Sequence, residues 1–399
     1  MLAHKLSFSS DYDESFFQEL PASAAVFVLR GDGEPYVSKT ANLRRRLQRI
    51  LGPPTERSKR LNLRSVVRDI EFTATGSEFE SQILLYRLLR DAFPKTYSAR
   101  LRLRPAPVVK LHLENQYPRA SVTTRLSSHG SNLFYGPFPS RAAAEKFASD
   151  ALDFFKMRRC VDDLHPDPAF PGCVYSEMKM CLAPCFKGCT DEEYRAEVAR
   201  VQAFFDTAGE SLTRELGEQR DRASRELAFE EAAGVHAKIE KLKPVLSQLP
   251  EIVRRLDQLD AIIIQTSSDR DAVCLFRFEH AQIVGPVAFR IDSRGETPVV
   301  EGGSAHAAER KPRTMESRAE GVIAQLMQPS PAPAAACTEH LAILKRWYYR
   351  SQRTGEILFA NEKGEWPLRR IVRAIGRVHK GEKEELLGFR TVPEPGLPS

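Results

Sequence analysis

Four closely spaced cysteines in the middle of the chain are the feature that most constrains its fold. Cys160, Cys173, Cys181 and Cys185 follow the spacing Cys-x12-Cys-x7-Cys-x3-Cys in a segment that is typical of a loop. Four soft thiolates gathered in a loop suit an iron–sulfur cluster or a zinc ion. The paired Cys-x2-Cys of zinc ribbons is missing, but spacing alone does not choose between the metals. We predict a metal site here, with four unrelated reduced thiols as the alternative.

The other cysteines and the N-terminus indicate a cellular compartment. Cys189 is a spare thiol or an alternative ligand, and Cys274 and Cys337 are expected to act as small hydrophobic residues. The N-terminal stretch MLAHKLSFSSDYDESFFQEL does not have the order of a secretory signal, and no apolar run has the length of a membrane span. We therefore expect a cytoplasmic protein with no membrane partner, in which cysteines stay reduced.

Composition sets broad limits on size and partners. A length of 399 residues predicts two or three domains, and 42% hydrophobic with 28% charged residues is an ordinary globular balance. The net charge of +6 allows an anionic partner, although a solvated basic surface explains it equally well.

The residue patterns predict an α+β, multidomain fold in four segments. Residues 15–104 combine strand-like AAVFVL, PYV and DIEFTAT with helices at 42–51 and 78–93. Residues 105–195 contain the strands VVKLHL and ASVTTRL, a helix at 142–155 and the cysteine loop. Residues 196–250 are helical, and we expect two antiparallel helices over about 191–250, broken near Ala208 and Gly209. Residues 251–399 are mixed α/β, with a β-hairpin in AVCLFRF and IVGPVAFRI.

Three short motifs stand near the start of the chain. They are AAVF at 24–27, YVSK at 36–39 and NLRRRL at 42–47. These motifs resemble the P-G-V-Y, Y-V-G-K and N-L-R-x-R-L blocks of the GIY-YIG nuclease domain found at the N-terminus of the UvrC family of excinuclease proteins. The resemblance implies a small GIY-YIG-like α/β domain over residues 15–104.

Hydrolysis of a phosphodiester needs an activated water, a cation that holds the phosphate and stabilisation of developing charge. By this resemblance, Tyr36, Lys39 and Arg46 occupy the positions of the second motif tyrosine, the lysine and the helix arginine. They form the retained catalytic frame. The alternative is that Tyr36 is simply a packed ring and Arg46 a solvated arginine.

Other positions of the nuclease motif are substituted. Phe27 stands at the first tyrosine and has no hydroxyl, and Ser38 replaces a glycine. Leu85 aligns with the glutamate that binds a divalent metal, although hard cations need oxygen ligands. The family asparagine falls at Tyr97, or at Ser98 in a shifted register. The resemblance therefore implies a degenerate site that needs magnesium or manganese only if it is active.

Two further features of this segment bear on cutting and on DNA. Glu78 and Glu80 precede Leu85 on the same predicted helix, but helical geometry places one too far along the axis and the other on a different side. We therefore do not expect either to replace the metal ligand. Arg44, Arg45 and Arg49 are candidates for contacting DNA phosphates without cutting them.

A second motif lies in the helical segment. The residues of LAFEEAA at 227–233 resemble the UVR motif core L-x-F-E-x-A-A of UvrC, and the matching positions are Leu227, Phe229, Glu230, Ala232 and Ala233. The resemblance implies a helical hairpin that docks on the UvrB subunit of the excinuclease. A protruding phenylalanine among small residues suits docking, and a hairpin packed on its own domain is the alternative.

The three motif regions follow the order of the UvrC family. The sequence MCLAPC at 180–185 resembles the cysteine region of UvrC, which implies an iron–sulfur cluster and leaves zinc as the alternative. We find no equivalent of the C-terminal RNase H-like nuclease domain of that family. The chain continues into a basic and aromatic segment, which suits nucleic-acid stacking or an ordinary amphipathic helix; it includes Trp347, Tyr348, Tyr349, Arg350, Arg353, Arg369 and Arg370.

These observations predict a UvrC-like component of nucleotide excision repair that binds DNA and UvrB and has a degenerate nuclease site. The first alternative is an active short UvrC-like endonuclease that makes a metal-dependent incision. The second alternative is a non-catalytic interaction protein that regulates the excinuclease by occupying UvrB.

Overall fold

The computed structural model describes residues 2–53, 61–127, 130–291, 314–326, 333–361 and 363–382. Within these residues the chain forms three four-stranded antiparallel sheets surrounded by helices. The predicted α+β, multidomain fold is confirmed. None of the helices in the described ranges is both long and apolar enough to cross a membrane.

The N-terminal sheet has the strand order β1-β4-β2-β3. Its strands are β1 (His4–Ser7), β2 (Ala25–Gly31), β3 (Tyr36–Thr40) and β4 (Val67–Ala74). The accompanying helices are α1 (Ser15–Gln18), α2 (Leu43–Leu51), α3 (Glu78–Ala92) and α4 (Tyr97–Leu101). The Asn42 side chain accepts a hydrogen bond from the Arg45 backbone and caps α2, whose Leu43, Leu47 and Ile50 are buried. These leucine and isoleucine positions recur at helical spacing, which explains why α2 packs on this sheet.

The second sheet has the order β6-β5-β7-β8 and precedes the cysteine loop. Its strands are β5 (Val108–Leu111), β6 (Ala120–Thr123), β7 (Leu133–Gly136) and β8 (Arg254–Arg255). Helix α5 (Arg141–Leu152) packs on this sheet, and the loop that follows contains the single turn α6 (Val174–Glu177) and a 3-10 turn (Pro184–Phe186).

Three helices, rather than the two expected, cover the charged segment: α7 (Asp191–Asp206), α8 (Glu210–Arg225) and α9 (Phe229–Ser247). The predicted break is present, because Ala208 and Gly209 have φ of 50° and 92°. The expectation of two helices is wrong because of a second break at Leu227, where φ is 59°. Neither glycine nor proline marks that break, so a composition pattern does not reveal it.

The third sheet has the order β11-β10-β9-β12. Its strands are β9 (Ala261–Thr266), β10 (Ala272–Glu279), β11 (Gln282–Arg290) and β12 (Glu356–Phe359), and its helices are α10 (Met315–Gln325), α11 (Ala334–Tyr348) and α12 (Leu368–Lys380). Side chains of β9 alternate between two cores: Ile263 packs with the α11 residue Leu344, and Ile264 packs with the α12 residue Ile375. The sheet therefore lies between α11 on one face and α10 with α12 on the other.

Helix α3 joins the N-terminal sheet to this third sheet. The Phe79 ring centroid lies 5.0 Å from that of Phe276 on β10 and 5.2 Å from that of Trp347 on α11. At the start of α3, a Cβ atom on Gly76 would lie 2.1 Å from the carbonyl carbon of Ser267, so only glycine permits this approach. The two sheets are therefore in direct contact through α3, and one hydrophobic core continues from it into the C-terminal region.

Candidate nuclease-like, cysteine and docking sites

The structure brings three of the predicted nuclease residues together. Arg46 Nη2 donates a 2.9 Å hydrogen bond to the Tyr36 hydroxyl, and the Tyr36 ring centroid lies 6.1 Å from that of Phe27. Phe27 is fully buried, whereas Tyr36 is half-buried at the edge of the same core. Among the described residues, Arg46 Nε is buried and has no hydrogen-bond partner. The guanidinium is thus held by Tyr36 through Nη2, while Nε has no partner among the residues that the structure describes.

Lys39 lies on the same strand as Tyr36, but its side chain contacts α3, whereas that of Tyr36 contacts α2. Its ammonium group donates to the Glu78 carboxylate and, at 2.9 Å, to Gln82 Oε1, and both partners belong to α3. Burial lowers the pKa of Lys39, and the hydrogen bond and charge of Glu78 oppose that shift. Alternation along β3 explains the separation, since Tyr36 and Lys39 are an odd number of residues apart.

The substituted positions Leu85 and Tyr97 lie in another part of the protein core. Both pack against the central cluster that includes the C-terminal sheet, whereas Phe27 belongs to the separate N-terminal cluster. The Tyr97 hydroxyl donates to Glu339 Oε1 at 2.8 Å, and the Tyr86 hydroxyl donates to Glu339 Oε2 at 2.9 Å. Glu339 lies on α11, so Tyr97 contributes to the contact between the N-terminal and C-terminal regions, and Leu85 is part of the central core.

The two carboxylates considered as replacement ligands are engaged elsewhere. Glu78 pairs with Lys39 near the surface. Glu80 is buried; its Oε2 accepts a 2.8 Å hydrogen bond from the Gly76 backbone, and its Oε1 lies 3.8 Å from the Cys274 sulfur. Burial raises the pKa of the Glu80 carboxyl, which disfavours the anionic form that a metal would need.

The candidate DNA-contacting arginines differ in their surroundings. Arg44 is half-buried, and its Nε donates a 2.8 Å hydrogen bond to the Leu20 carbonyl. Arg45 and Arg49 are exposed and lie four residues apart on α2, on one side of the helix. Arg45 and Arg49 are therefore placed for contact with an external anion, whereas Arg44 stabilises the loop before the sheet.

The four predicted cysteine ligands are electrostatic neighbours. Burial raises the pKa of the Cys181 thiol to about 11, and negative charge on Cys160, Cys185 and Cys173 adds to the rise. The Ala183 backbone donates to the Cys181 sulfur at 3.3 Å. Among the described residues, however, no three cysteine, histidine or acidic side chains converge as a metal-binding group. The residue types, rather than their placement in the described structure, fit a metal bound by thiolates.

Arg158 is a residue of the cysteine loop that the sequence patterns did not single out. It is buried, and its guanidinium donates to the Cys160 sulfur at 3.4 Å, the Asp162 carbonyl at 2.8 Å and the Tyr117 carbonyl at 2.8 Å. Arg158 thus joins the start of the loop to the second sheet. The sequence offered one indication of this role, which is that Arg158 lies two residues before Cys160, the first cysteine of the four.

The predicted docking motif lies at the turn between α8 and α9. Leu227 and Phe229 are 71% and 67% exposed, which places them among the most exposed large apolar side chains in the described ranges. Glu230 and Ala233 are exposed beside them, and Ala232 is half-buried. Elsewhere α9 buries Val235, Ile239 and Leu242, so the motif residues are not needed for the hairpin's own core.

The aromatic residues of the C-terminal segment are used inside the protein. Trp347 is buried, and its Nε1 donates a 3.0 Å hydrogen bond to the Thr354 carbonyl. The Tyr349 hydroxyl donates to the Pro137 carbonyl at 2.8 Å. The expectation that this segment could stack on bases is therefore not met by Trp347, and the amphipathic-helix alternative describes α11.

The comparisons with known proteins find the same family that the sequence motifs resemble. Residues 106–204 match the family model "UvrC/Cho excinuclease, middle domain". The chain is similar to the UvrABC system protein C of Alcanivorax borkumensis, with 28% identity over 265 residues, and of Alkalilimnicola ehrlichii, with 29% identity over 280 residues. These alignments cover 66% and 69% of this chain, but 43% and 45% of the relatives.

The chain therefore matches less than half the length of these relatives. No solved structure matched it. The family match covers strands β5 to β7 of the second sheet, the cysteine loop and most of α7. The sequence resemblance predicts the metal site in this same part of the chain. The predicted resemblance to the UvrC family is confirmed: the family model and the relatives show that this chain is similar to UvrC proteins at low sequence identity.

Proposed function

We propose that this protein is a UvrC-like component of nucleotide excision repair that binds DNA and the UvrB subunit and does not cut DNA efficiently. The observation that carries the proposal is that Leu85 packs against the central core and offers no oxygen ligand, while the Tyr97 hydroxyl is bonded to Glu339 of the C-terminal region. The Tyr36–Arg46 hydrogen bond supports a phosphate-binding role, because it holds the guanidinium group in a fixed orientation. Without a carboxylate at the metal position, activation of the attacking water has no support from this side of the site.

Incision of a lesion-containing duplex tests this proposal directly. The purified protein is mixed with UvrA, UvrB and magnesium or manganese, and nicking is followed over time. We expect no incision, together with retained binding to DNA or UvrB. Metal-dependent incision that disappears in Arg46→Ala would establish the alternative of a short active nuclease, for which the retained Tyr36–Arg46 hydrogen bond is the supporting observation.

We also propose that Cys160, Cys173, Cys181 and Cys185 hold an iron–sulfur cluster, with zinc as the alternative. Their clustering within one loop supports this proposal, and Arg158 would neutralise part of the thiolate charge near Cys160. A bound cluster would close the loop between the second sheet and α7. Metal analysis after anaerobic purification tests the site: a folded protein with neither iron nor zinc would refute it.

The exposed hairpin tip is proposed as the UvrB-docking surface. Leu227→Asp is a sharp probe because aspartate tolerates the positive φ at this position better than most residues, so the turn should remain folded. Leu61→Asp places the same charge at another exposed leucine and is the matched control. We expect Leu227→Asp and Phe229→Ala to weaken UvrB binding by at least about tenfold, a loss typical of a central interface residue. Equal affinity of Leu227→Asp and the control would contradict docking at this tip.

The regulator alternative requires UvrB binding without DNA contacts. The same exposed tip supports this alternative. The salt dependence of DNA binding distinguishes it from the main proposal. A protein that neutralises phosphates loses affinity for DNA steeply as salt rises. DNA binding that is absent at low salt, with UvrB binding intact, would favour the regulator.

A further inference from the structure

Basic side chains from the two ends of the chain meet beside α3. Glu78 accepts a hydrogen bond from Lys39 of β3, and its Oε1 lies 4.0 Å from Arg350 Nη1 just beyond α11. Arg346, one helical turn earlier in the sequence, acts on Lys39 electrostatically together with Arg350. The three cations therefore share one neighbourhood although more than 300 residues separate Lys39 from the arginines.

The charges in this neighbourhood are not balanced. Lys39 and Arg350 both lie beside the Glu78 carboxylate, and the positive charges of Arg346 and Arg350 contribute to the lowered pKa of Lys39 after the effect of burial. Like charges held close together cost free energy unless an anion lies between them. An arrangement of this kind is common where a protein binds a phosphate group.

Packing holds the arginines in this place. Trp347, between them in sequence, is 6% exposed and contacts the Phe79 ring of α3, so the end of α11 is anchored on the helix that carries Glu78. The Arg350 side chain is 53% exposed and that of Lys39 is 23% exposed. Arg346 is also exposed. The cations are therefore fixed at their backbones and reachable from solvent.

We propose that Lys39, Arg346 and Arg350 form one binding site for the phosphodiester backbone of DNA, built across the contact between the N-terminal and C-terminal regions. This inference rests on the proposed function, because it names additional residues for DNA binding. The inference assigns to the C-terminal region a role in binding the DNA backbone. Trp347 is buried and does not present its ring for base stacking, and contacts made to phosphate oxygens carry no information about base sequence.

Salt-dependent binding of a short labelled duplex tests the site. Arg346→Gln with Arg350→Gln removes two cations, and Arg214→Gln with Arg222→Gln removes two exposed arginines from α8 as the matched control. Each lost phosphate contact lowers the slope of log affinity against log salt by about 0.9. We therefore expect the Arg346 and Arg350 variant to lose about 1.8 from the slope, while the control keeps the slope of the unchanged protein.

A conservative variant separates charge from structure. Arg346→Lys with Arg350→Lys keeps both charges and should keep the slope, even where the loss of arginine geometry weakens binding. The inference is overturned if the glutamine variant and the α8 control have the same slope. Failure of the unchanged protein to bind the duplex at low salt would instead overturn DNA binding itself, so the two failures are distinguishable.

Discussion

The link between Glu339 and two tyrosines of the N-terminal region allows a quantitative test of how the two ends of the chain are joined. The Glu339 carboxylate accepts hydrogen bonds from Tyr86 at 2.9 Å and from Tyr97 at 2.8 Å. The motif resemblance predicts Tyr97, or Ser98 in a shifted register, at the family asparagine, so the test also probes the role of Tyr97 in this protein. We propose two double-mutant cycles, which pair Glu339→Ala with Tyr86→Phe and with Tyr97→Phe.

The two cycles should differ because the tyrosines differ in exposure. A hydrogen bond to a charged group contributes about 1.5–3 kcal/mol to stability, and solvent reduces that contribution. Tyr86 is 1% exposed, and its pKa is raised by burial and by its hydrogen bond with Glu339. Tyr97 is more exposed. We therefore expect a coupling free energy of about 2 kcal/mol for Tyr86 and about 1 kcal/mol for Tyr97.

Urea unfolding of the four proteins in each cycle gives these couplings. Tyr117→Phe is the matched control, because the Tyr117 hydroxyl makes a hydrogen bond of the same length, 2.9 Å, to a different carboxylate, that of Asp191. Its effect should add to that of Glu339→Ala with no coupling. Couplings near zero for both Tyr86 and Tyr97, or a larger coupling for Tyr97, would refute the argument that Glu339 joins the two regions through buried hydrogen bonds.

Three further predictions concern single residues. Phe27→Tyr should destabilise the protein by about 1–3 kcal/mol and should not create incision, because the new hydroxyl lies in a fully buried core; urea unfolding and the nicking assay check this. Cys181→Ser should lose bound iron or zinc while Cys337→Ser retains it, as measured by metal analysis. Burial lowers the pKa of His340 to about 4, and its Nδ1 accepts a 3.0 Å hydrogen bond from the Ile283 backbone. The neutral His340 therefore contributes fully to the free energy of unfolding above about pH 6.5, and this contribution is lost as the pH falls toward 4. Urea unfolding across that range should therefore show a steeper acid destabilisation than in His340→Gln.

Sequence patterns located much of the secondary structure because the signals are local. The apolar runs at 24–29, 261–265 and 272–278 lie in β2, β9 and β10, and the charged segment after the cysteine loop is helical. The helix count was wrong because Leu227 adopts a left-handed conformation without the glycine that usually signals it. Local patterns also assigned Trp347 to a basic segment without showing that α11 turns it into the core.

Whether the sequence could predict the contacts of a site residue depended on how far away its partner lies along the chain. The Tyr36–Arg46 hydrogen bond joins β3 to the next helix, so the motif itself predicted their proximity. Glu339 and Arg350 come close to α3 only after the C-terminal sheet has packed against it. No periodicity or short motif contains that information, since it arises from tertiary packing between distant segments.

The packing of α3 gives a physical reason for the substitutions at the nuclease positions. A metal ligand must present oxygen to an open site, whereas a residue in an internal contact must fill space or find a fixed hydrogen-bond partner. Leu85 and Tyr97 meet the second requirement, through the central core and through Glu339. Lys39 contacts α3 through Glu78 and Gln82 and stays partly exposed beside Arg350. Under the proposed function, internal packing at α3 and DNA binding beside it are therefore compatible, whereas metal-dependent cutting would need an oxygen ligand that Leu85 does not supply.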